Sequence, residues 1–582
     1  MKKIINDPNT LVREMCYGLV ATNPTIDFDS KSKIIKRRNI NTDKVTLISG
    51  GDSGHEPAHA GFVGAGLLDA AVCGDIFASP SQVQVYNALK QVKSSKGTLM
   101  VIKNYSGDMM NFKNAAVMAA EEGINVDYVK VDDDIAVNDS LYTVGRRGVA
   151  GTIFVHKIAG AAAEDGKSLA EVKALAQKVI DNTRSIGFAL SSCTVPAKGA
   201  PTFDISPDDM EYGVGIHGEP GVSREKIQTS DKLAARMVSQ LAEELDLRKG
   251  EEIALLINGF GGTPLQELYV FNNSVIKALD SIVGAEIHRD FVGNYMTSID
   301  MAGASVSILR LDDEMKNYLD APCESSALIV NGEMHPRVRV YSEDEKLESI
   351  SYADLTDKEW SRIKDNKLTT ENIMRMVDHM ATFIIKYEVA FCELDSHAGD
   401  GDFGESIAKG FRCVKQEWSR LKANDCGIGE FLKETAMVLM KNCGGASGPI
   451  WGSAFRAAGI CAFGKSSVDA AEFADMLHSA VKGIQTTGES SFGRGAVVGD
   501  KTLIDALVPC ADKWSARETD EIIPALYAGA QAARDGADKT KNIVARMGRA
   551  GTIGERSLGY PDAGAYALGE IFAEIAEDFG AK

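Results

Sequence analysis

The chain has 582 residues, more than one hydrophobic core can organise, so two or more domains are expected. Its formal net charge of -19 argues against a nucleic acid or an anionic membrane as partner, and no apolar run is long enough to span a bilayer. The ten cysteines have no Cys-x-x-Cys spacing, and the N-terminus lacks a signal-peptide pattern. We therefore expect a cytoplasmic protein with reduced thiols and neither a cysteine-based zinc site nor a disulfide framework.

Short apolar runs followed by glycine-rich turns characterise residues 1–335. The runs at 45–49, 98–103 and 253–257 each lead into a turn that combines glycine with polar residues. Strands that alternate with helical patterns in this way predict an α/β domain, whose sites lie at the ends of its strands.

Three of the polar segments in this half contain titratable residues: 50–57, 103–108 and 215–220. His55 and His217 stand in similar settings: His55 lies between Gly54 and a Glu-Pro pair, and His217 precedes a Gly-Glu-Pro triplet. A lone histidine is more often structural than catalytic, but two histidines with Asp108 form a set that can bind a polar carbonyl compound and take a proton from a hydroxyl.

A charged stretch at 336–366 predicts the junction between domains. Beyond it, apolar residues recur at helical spacing, for example at 430–441 and 470–482. The C-terminal part is therefore predicted to be all-helical.

Three aspartates, Asp395, Asp400 and Asp402, lie within eight residues and are separated in part by glycines. Carboxylates this close repel one another unless a cation lies between them, and hard oxygen ligands suit Mg²⁺ or Ca²⁺. An EF-hand is excluded because position 12 of the loop, counted from Asp400, is Phe411. The alternatives are metal-assisted phosphate chemistry and a solvated acidic turn.

Some nucleotide-binding patterns in the chain stand in the wrong context. Residues 459–466 match the Walker A pattern, but 449–458 predicts a helix where a P-loop needs a strand, and Ser466 or Ser467 is expected to cap the next helix. Neither of the GxGxxG matches, at 213–218 and 399–404, both follows a clear strand and opens a crossover helix. A nicotinamide oxidoreductase is thus disfavoured.

The motifs of both halves together resemble the dihydroxyacetone kinase family. In the first half these are Gly-Gly-Asp-Ser-Gly-His-Glu-Pro (50–57), Gly-Asp-Ile-Phe-Ala-Ser-Pro (74–80), Lys-Asn-Tyr-Ser-Gly-Asp (103–108) and Gly-Ile-His-Gly-Glu-Pro-Gly (215–221). In the second half they are the segments at 394–402, 444–448, 499–507, 548–550, 554–557 and 562–565. The resemblance implies a ketose-binding α/β domain at 1–335, a linker at 336–366 and an all-α helical barrel or bundle at 367–582 that binds ATP and magnesium.

The resemblance also implies roles for the residues of the first half. A histidine matching His217 captures the ketone as a covalent hemiaminal, Asp108 accepts the proton of the terminal hydroxyl, and His55 bonds the same substrate. The remaining substrate-binding residues would be Asp52, Ser53, Gly54, Ser79 and Lys103.

In the second half, Asp395, Asp400 and Asp402 resemble the ligands of two Mg²⁺ ions that bridge the phosphates of ATP. The nucleotide-binding residues would be Phe403, Gly404, Glu405, Ser406, Ala446, Ser447, Gly495, Leu503, Arg549, Asp562, Ala563 and Gly564. Because the two halves must serve one reaction, either domain closure or a homodimer is expected, and the family favours the homodimer.

Two residues depart from the family pattern. Asp52 stands where many members have glycine, so its carboxylate either bonds an extra hydroxyl of a larger ketose such as erythrulose or faces solvent. Phe403 replaces a common threonine, which removes a hydroxyl but keeps the backbone contacts to phosphate. The expected function is an ATP-dependent kinase of dihydroxyacetone or a close relative. The alternatives are an FAD-AMP lyase that forms cyclic FMN, and a non-catalytic sugar-sensing coregulator.

Overall fold

The computed structural model describes residues 3–137, 145–332, 353–422 and 426–581. Contacts divide the chain into two compact units, residues 1–343 and 344–582. Residues 336–352 of the predicted junction lie outside the described residues, and 353–366 belong to the second unit. Among the described residues, no helix combines the length and the apolar composition that crossing a membrane requires.

The first unit alternates strands with helices. Its strands are β1 (Ile26–Asp29), β2 (Ile34–Arg37), β3 (Thr46–Ser53), β4 (Ala70–Ile76), β5 (Thr98–Lys103), β6 (Val126–Val131), β7 (Thr183–Ala189), β8 (Asp209–Tyr212), β9 (Ser223–Lys226), β10 (Glu252–Gly259), β11 (Glu286–Gly293), β12 (Gly303–Arg310), β13 (Cys323–Glu324) and β14 (Ile329–Val330). Its helices are α1 (Leu11–Thr22), α2 (Gln82–Gln91), α3 (Ser106–Glu121), α4 (Thr152–Glu164), α5 (Leu169–Asp181), α6 (Ser230–Glu244), α7 (Leu265–Ala278) and α8 (Asp313–Asp320).

The larger strands form two sheets of six strands each. The first sheet has the order β1-β2-β4-β3-β5-β6, with β4, β3, β5 and β6 parallel, and the second has the order β11-β10-β12-β7-β8-β9 and is mainly antiparallel. The predicted strands at 45–49 and 98–103 are neighbours in the first sheet, and 253–257 lies in the second. The predicted α/β class is confirmed.

A tight approach of two strands explains a glycine at the end of β3. A Cβ on Gly50 would lie 2.4 Å from the carbonyl oxygen of Val72 on β4, so no side chain fits there. β3 then continues through Asp52 to its end at Ser53, and the loop that follows carries His55. One hydrophobic cluster includes residues of both sheets, for example Leu47 of β3 and Leu256 of β10, and it fixes the loops of one sheet against those of the other.

The second unit is helical, apart from the paired short strands β15 (Leu368–Thr369) and β16 (Ser467–Val468). Its helices are α9 (Thr370–Lys386), α10 (Glu388–Asp395), α11 (Phe403–Gln416), α12 (Trp418–Lys422), α13 (Ile428–Asn442), α14 (Ser447–Cys461), α15 (Ala470–Phe492), α16 (Ile504–Ser515), α17 (Ile522–Lys539) and α18 (Ala563–Gly580).

These helices pack as a closed ring. Starting from α9, each of α11, α13, α14, α15, α16, α17 and α18 contacts the next, and α18 returns to α9. The closing contact includes a buried ion pair of 2.7 Å between Arg375 of α9 and Asp578 of α18. Apolar side chains line a cavity of about 150 Å³ inside the ring. The predicted all-helical second domain is confirmed.

The rejected Walker A match has the predicted backbone. Helix α14 runs into the Walker A match up to Cys461, so that segment is no P-loop. The expected cap of the following helix is wrong: Asp469, not Ser466 or Ser467, accepts from the backbone N–H of Glu472, which bonds back in a capping box. Ser467 pairs in β16 instead.

Candidate active site

The predicted substrate residues of the first unit come together at the ends of β3 and β5. Asp52 and Ser53 end β3, Lys103 ends β5, Asp108 lies in the first turn of α3, and His217 follows β8 of the second sheet. We call the group of Asp52, His55, Lys103, Asp108 and His217 the histidine pocket.

Asp52 is the centre of the histidine pocket. Its side chain is only 4% exposed, and its Oδ2 atom lies 2.8 Å from Nε2 of His55 and 2.7 Å from Nε2 of His217. Its Oδ1 atom lies 3.7 Å from Nζ of Lys103. These three cationic or polar neighbours outweigh the effect of burial, so the pKa of the Asp52 carboxyl lies well below its ordinary value. The alternative that Asp52 faces solvent is therefore wrong.

The two histidines differ in their surroundings. His55 is fully buried, and burial lowers its pKa to about 4 although Asp52 opposes the shift. Its Nδ1 atom donates to the carbonyl oxygen of Thr297 at 2.8 Å, because a carbonyl only accepts. Burial acts against the charged form of His217 too, but the Asp52 carboxylate outweighs it and raises the pKa of His217.

Asp108 and Lys103 carry the unpaired polar atoms of the histidine pocket. The hydroxyl of Ser79 donates to Oδ1 of Asp108 at 2.5 Å. Oδ2 of Asp108 and Nζ of Lys103 are buried and have no hydrogen-bond partner among the described residues. Burial raises the pKa of Asp108 to about 6. Buried charged atoms without a hydrogen bond are costly unless a ligand supplies the missing bonds.

The two other predicted substrate residues use their polar groups within the loop. The hydroxyl of Ser53 donates to the carbonyl oxygen of Gly74 at 2.8 Å. The backbone N–H of Gly54 donates to Oε2 of Glu56 at 3.0 Å, and its φ of +110° lies in the region that favours glycine. Both residues therefore shape the loop that presents Asp52 and His55.

Sequence reasoning missed the residues that orient His217. Glu219 accepts from the backbone N–H of His217 at 3.0 Å and from Nη1 of Arg147 at 2.9 Å. The Tyr105 ring packs edge-on against His217 with centroids 4.4 Å apart. Glu219 and Tyr105 lie inside the quoted motifs, so the sequence offered a reason to consider them. Arg147 and Thr297, which supports His55, are distant in sequence from the motifs, and no pattern pointed to them.

The predicted metal ligands of the second unit also come together. Oxygen atoms of Asp395, Asp400 and Asp402 lie within 4.8 Å of one another. Burial and the two other carboxylates raise the pKa of Asp395, although the N–H of Gly401 donates to its Oδ2 at 2.9 Å. We call residues 395–402 the aspartate loop. Its all-oxygen donor set fits Mg²⁺.

Two helix N-termini meet beside the aspartate loop. Asp402 stands at the start of α11 (Phe403–Gln416), and Ala446 at the start of α14 (Ser447–Cys461). The backbone N–H of Gly444 donates to the carbonyl oxygen of Ser406 at 3.2 Å, which joins the two starts. Adjacent helix N-termini of this length are suited to phosphate. The Phe403 ring packs on Phe391 of the core at 6.3 Å, so its side chain points away from such a ligand.

Of the other predicted nucleotide residues, Leu503 lies close to the segment 562–564, and Gly495 and Arg549 belong to other segments. Leu503 precedes α16, and its Cβ lies 3.2 Å from the Cβ position of Gly564 at the start of α18. Asp562 caps α18, whose first residue is Ala563, and burial raises the pKa of Asp562 to about 7. Gly495 packs against Gln485 of α15. Arg549 begins a 3-10 turn, and its side chain is outside the described part of the chain.

A stacked aromatic pair joins the aspartate loop to the segment before Asp562. The rings of His397 and Tyr560 lie 3.8 Å apart and nearly parallel. The backbone carbonyl of Tyr560 accepts from Nζ of Lys501 at 2.8 Å. Neither residue was predicted from the sequence to take part in the site. The two residues are 163 positions apart, and the sequence around each of them does not indicate that their rings are in contact.

Comparison with known proteins agrees with this arrangement. Residues 17–327 match the Dak1 domain and residues 397–577 match the DAK2 domain. A dihydroxyacetone-binding subunit DhaK of a PTS-dependent dihydroxyacetone kinase from Listeria innocua is 50% identical over 54% of this chain and 95% of its own length. L-erythrulose 1-kinase of Mycolicibacterium smegmatis is 33% identical over 99% of both chains.

Two further relatives also span the full length. Triokinase/FMN cyclase of Mus musculus is 31% identical over 99% of this chain and 98% of its own. The crystal structure of the dihydroxyacetone kinase from C. freundii in complex with AMP-PNP and Mg²⁺ has 30% identity and a TM-score of 0.59, with 99% of each chain covered. The two domain matches and these full-length similarities show that the chain belongs to the dihydroxyacetone kinase family.

Proposed function

We propose that the protein is an ATP-dependent kinase that phosphorylates the terminal hydroxyl of a short ketose. The observation that carries the proposal is the buried pair of Asp108 Oδ2 and Lys103 Nζ, which have no hydrogen-bond partner among the described residues and belong to the same pocket as His217. We assign ketose binding to residues 1–335 and nucleotide binding to residues 367–582, joined by 336–366. The full-length kinase relatives support this assignment.

The ketose is held by His217. Its Nε2 atom gives up its proton as it adds to the C2 carbonyl, and the carbonyl oxygen takes up that proton, which gives a hemiaminal. A carbonyl carbon can bond to Nε2 only if Asp52 Oδ2, now 2.7 Å away, gives up its contact. Glycerol has no carbonyl and cannot be captured in this way.

The proton of the terminal hydroxyl passes to Asp108. Its Oδ2 atom is free to accept it, and the raised pKa, about 6, brings the strength of this base closer to neutral pH. Lys103 donates to a substrate oxygen and compensates the charge of Asp108. Burial of both groups excludes water that would otherwise compete with the ketose.

The aspartate loop holds magnesium through Asp395, Asp400 and Asp402, and the mutual proximity of their oxygens supports this role. Bound Mg²⁺ would neutralise the charge of the ATP phosphates. The starts of α11 and α14, with Phe403, Gly404, Glu405, Ser406, Ala446 and Ser447, bind phosphate through backbone N–H groups. The remaining nucleotide residues would be Gly495, Leu503, Arg549, Asp562, Ala563 and Gly564.

The test is release of ADP from Mg-ATP across dihydroxyacetone, glyceraldehyde, both erythruloses and longer ketoses, with glycerol as the control. The proposal expects fast turnover of at least one three- or four-carbon ketose and none with glycerol. Equal turnover of glycerol contradicts carbonyl capture, and no turnover with any carbonyl compound contradicts the kinase function. The panel also decides between dihydroxyacetone and a four-carbon ketose, which Asp52 leaves open.

A second candidate is lyase activity that converts FAD to cyclic FMN, and similarity to triokinase/FMN cyclase favours it. It would use the aspartate loop and need no ketose. Formation of cyclic FMN from FAD and Mn²⁺ without sugar tests it. An Asp400→Asn variant should lose this product if the loop is responsible.

We also propose that the protein is a homodimer, as the resemblance to the family implies. Light scattering after size-exclusion chromatography tests this, since the chain mass is 62.4 kDa and the proposal requires twice that value.

A further inference from the structure

The histidine pocket brings together the donor atoms of a different kind of site. Asp52, His55 and His217 each offer one ligand atom, and these atoms lie within 4.8 Å of one another. Two are imidazole nitrogens and one is a carboxylate oxygen. The set differs from the aspartate loop, which offers oxygen alone.

The hydrogen positions on His55 leave a conflict in the pocket. Nδ1 must carry a hydrogen because its partner is the carbonyl oxygen of Thr297, 2.8 Å away. In the neutral ring Nε2 then carries a lone pair and no hydrogen, and this lone pair faces Oδ2 of Asp52 at an atom-to-atom distance of 2.8 Å. Two acceptors at this distance repel unless a proton or a metal cation lies between them.

A metal cation removes the conflict and uses the surrounding contacts. The same Oδ2 atom also lies 2.7 Å from Nε2 of His217, so one cation can bind both rings and the carboxylate. A hydrogen bond from the distant ring nitrogen to a backbone carbonyl, as between His55 and Thr297, is the usual support of a metal-binding histidine. Nζ of Lys103 lies 3.7 Å from the other carboxylate oxygen of Asp52, Oδ1. Asp108 in the same pocket compensates the positive charge of Lys103.

We propose that Asp52, His55 and His217 form a binding site for a divalent transition metal ion of the Zn²⁺ class. Two imidazoles and one carboxylate are a recurrent set for such ions and leave a position open for water or a ligand oxygen. Bond lengths at Zn²⁺ require the donor atoms to separate to about 3.3 Å, a movement of roughly half an ångström. Mg²⁺ prefers oxygen ligands and stays at the aspartate loop.

Metal and ketose exclude each other in this site. The Nε2 lone pair of His217 either binds the ion or adds to a carbonyl carbon. Zn²⁺ is therefore expected to inhibit competitively against the ketose and without competition against ATP. This consequence rests on the proposed kinase function, whereas metal binding itself does not.

The experiment measures metal binding to the full-length protein after chelator treatment and addition of excess Mg²⁺, which fills the aspartate loop. Zn²⁺ is titrated by equilibrium dialysis with elemental analysis, and Co²⁺ by visible absorption. The wild type is expected to bind one equivalent of Zn²⁺. Its dissociation constant should be about two orders of magnitude lower than that of Asp52→Gly, since losing even a supporting contact costs about 10–100-fold in metal affinity. The Co²⁺ bands are expected to be those of a site with imidazole ligands.

Asp475→Asn, an exposed carboxylate of α15, serves as the matched control and should bind like the wild type. Thermal melting shows whether Asp52→Gly is folded, and His217→Ala provides a second variant that must lose the equivalent. Equal Zn²⁺ stoichiometry and affinity in the wild type and both variants overturns the proposal, as does wild-type protein that binds no Zn²⁺ beyond the Mg²⁺-filled loop. Zn²⁺ binding without kinase activity on any ketose would instead refute the proposed function.

Discussion

The histidine pocket and the aspartate loop are both clusters of titratable groups, but they are stabilised differently. In the pocket, Asp52 and His55 are buried, and the Asp52 carboxylate lies between two imidazole rings. In the loop, Asp400 is exposed, and the carboxylates face each other. The pocket is thus assembled before a ligand arrives, whereas the loop needs a cation to hold its carboxylates together.

This contrast separates the two roles in the proposed reaction. A preassembled, largely buried pocket selects a small uncharged substrate by position. An open cluster of like charges binds a divalent ion together with charged phosphates. Substitutions in the loop should therefore slow turnover strongly without changing ketose binding, and substitutions in the pocket should act on the ketose.

The largest effect is expected for Asp400→Asn. It removes a carboxylate of the aspartate loop, so kcat should fall by roughly 10²–10³-fold, as for loss of other groups that stabilise transition-state charge. Ketose binding, measured by calorimetry, should stay unchanged. Asp475→Asn is the control, and full activity of Asp400→Asn would refute the metal assignment.

His217→Ala should mainly weaken ketose capture. Without the hemiaminal, KM for ketoses is expected to rise by about tenfold or more, while slow turnover remains because Asp108 and Lys103 are intact. His478→Ala, an exposed histidine of the second unit, is the matched control. An unchanged KM would show that His217 forms no covalent bond with the substrate.

The pH dependence should report Asp108. A base must be ionised to accept a proton, and burial raises the pKa of Asp108 to about 6, so kcat/KM should fall as the pH drops through about 6. Asp108→Asn should lower kcat/KM and remove the contribution of Asp108 to this limb, and the limb that remains should report protonation of His217, whose pKa Asp52 raises. A profile that stays flat down to pH 4 would contradict the role of Asp108.

The smallest effect is expected for Asp52→Gly. Ketose capture has to break the contact between Asp52 and His217, and a hydrogen bond to a charged group contributes about 1.5–3 kcal/mol. Without it, KM for dihydroxyacetone should fall by about tenfold, measured at saturating Mg-ATP in chelator-treated protein. A higher KM for dihydroxyacetone would show that the Asp52 carboxylate bonds the substrate instead.

Local patterns predicted the elements of the fold better than their arrangement. The run at 98–103 coincides with β5, and the helix predicted at 449–458 lies inside α14. The number of sheets was not predictable, because nothing in the run at 253–257 tells which strands it pairs with. The capping error has a local cause: Asp469 has a glutamate three residues later, and the serines before it do not.

The site shows the same division. The motifs indicated His55, His217 and Asp108 because glycine-flanked polar residues after strands are conspicuous. The burial of Asp52 was not evident, because its partner His217 is 165 residues away in sequence. The supporting roles of Thr297 and Arg147 depend on packing between the two sheets, which no local pattern records.

One measurement tests the separation of roles most directly: a carbon NMR spectrum of dihydroxyacetone labelled at C2, mixed with Mg-ATP and the Asp400→Asn variant. The account predicts that the C2 resonance moves from the carbonyl range to that of a tetrahedral carbon, while phosphorylated product forms at least about 10²-fold more slowly than with the wild type, and that His217→Ala abolishes the shift. Phosphorylation at the wild-type rate, or an unshifted carbonyl resonance at saturating protein, would contradict it.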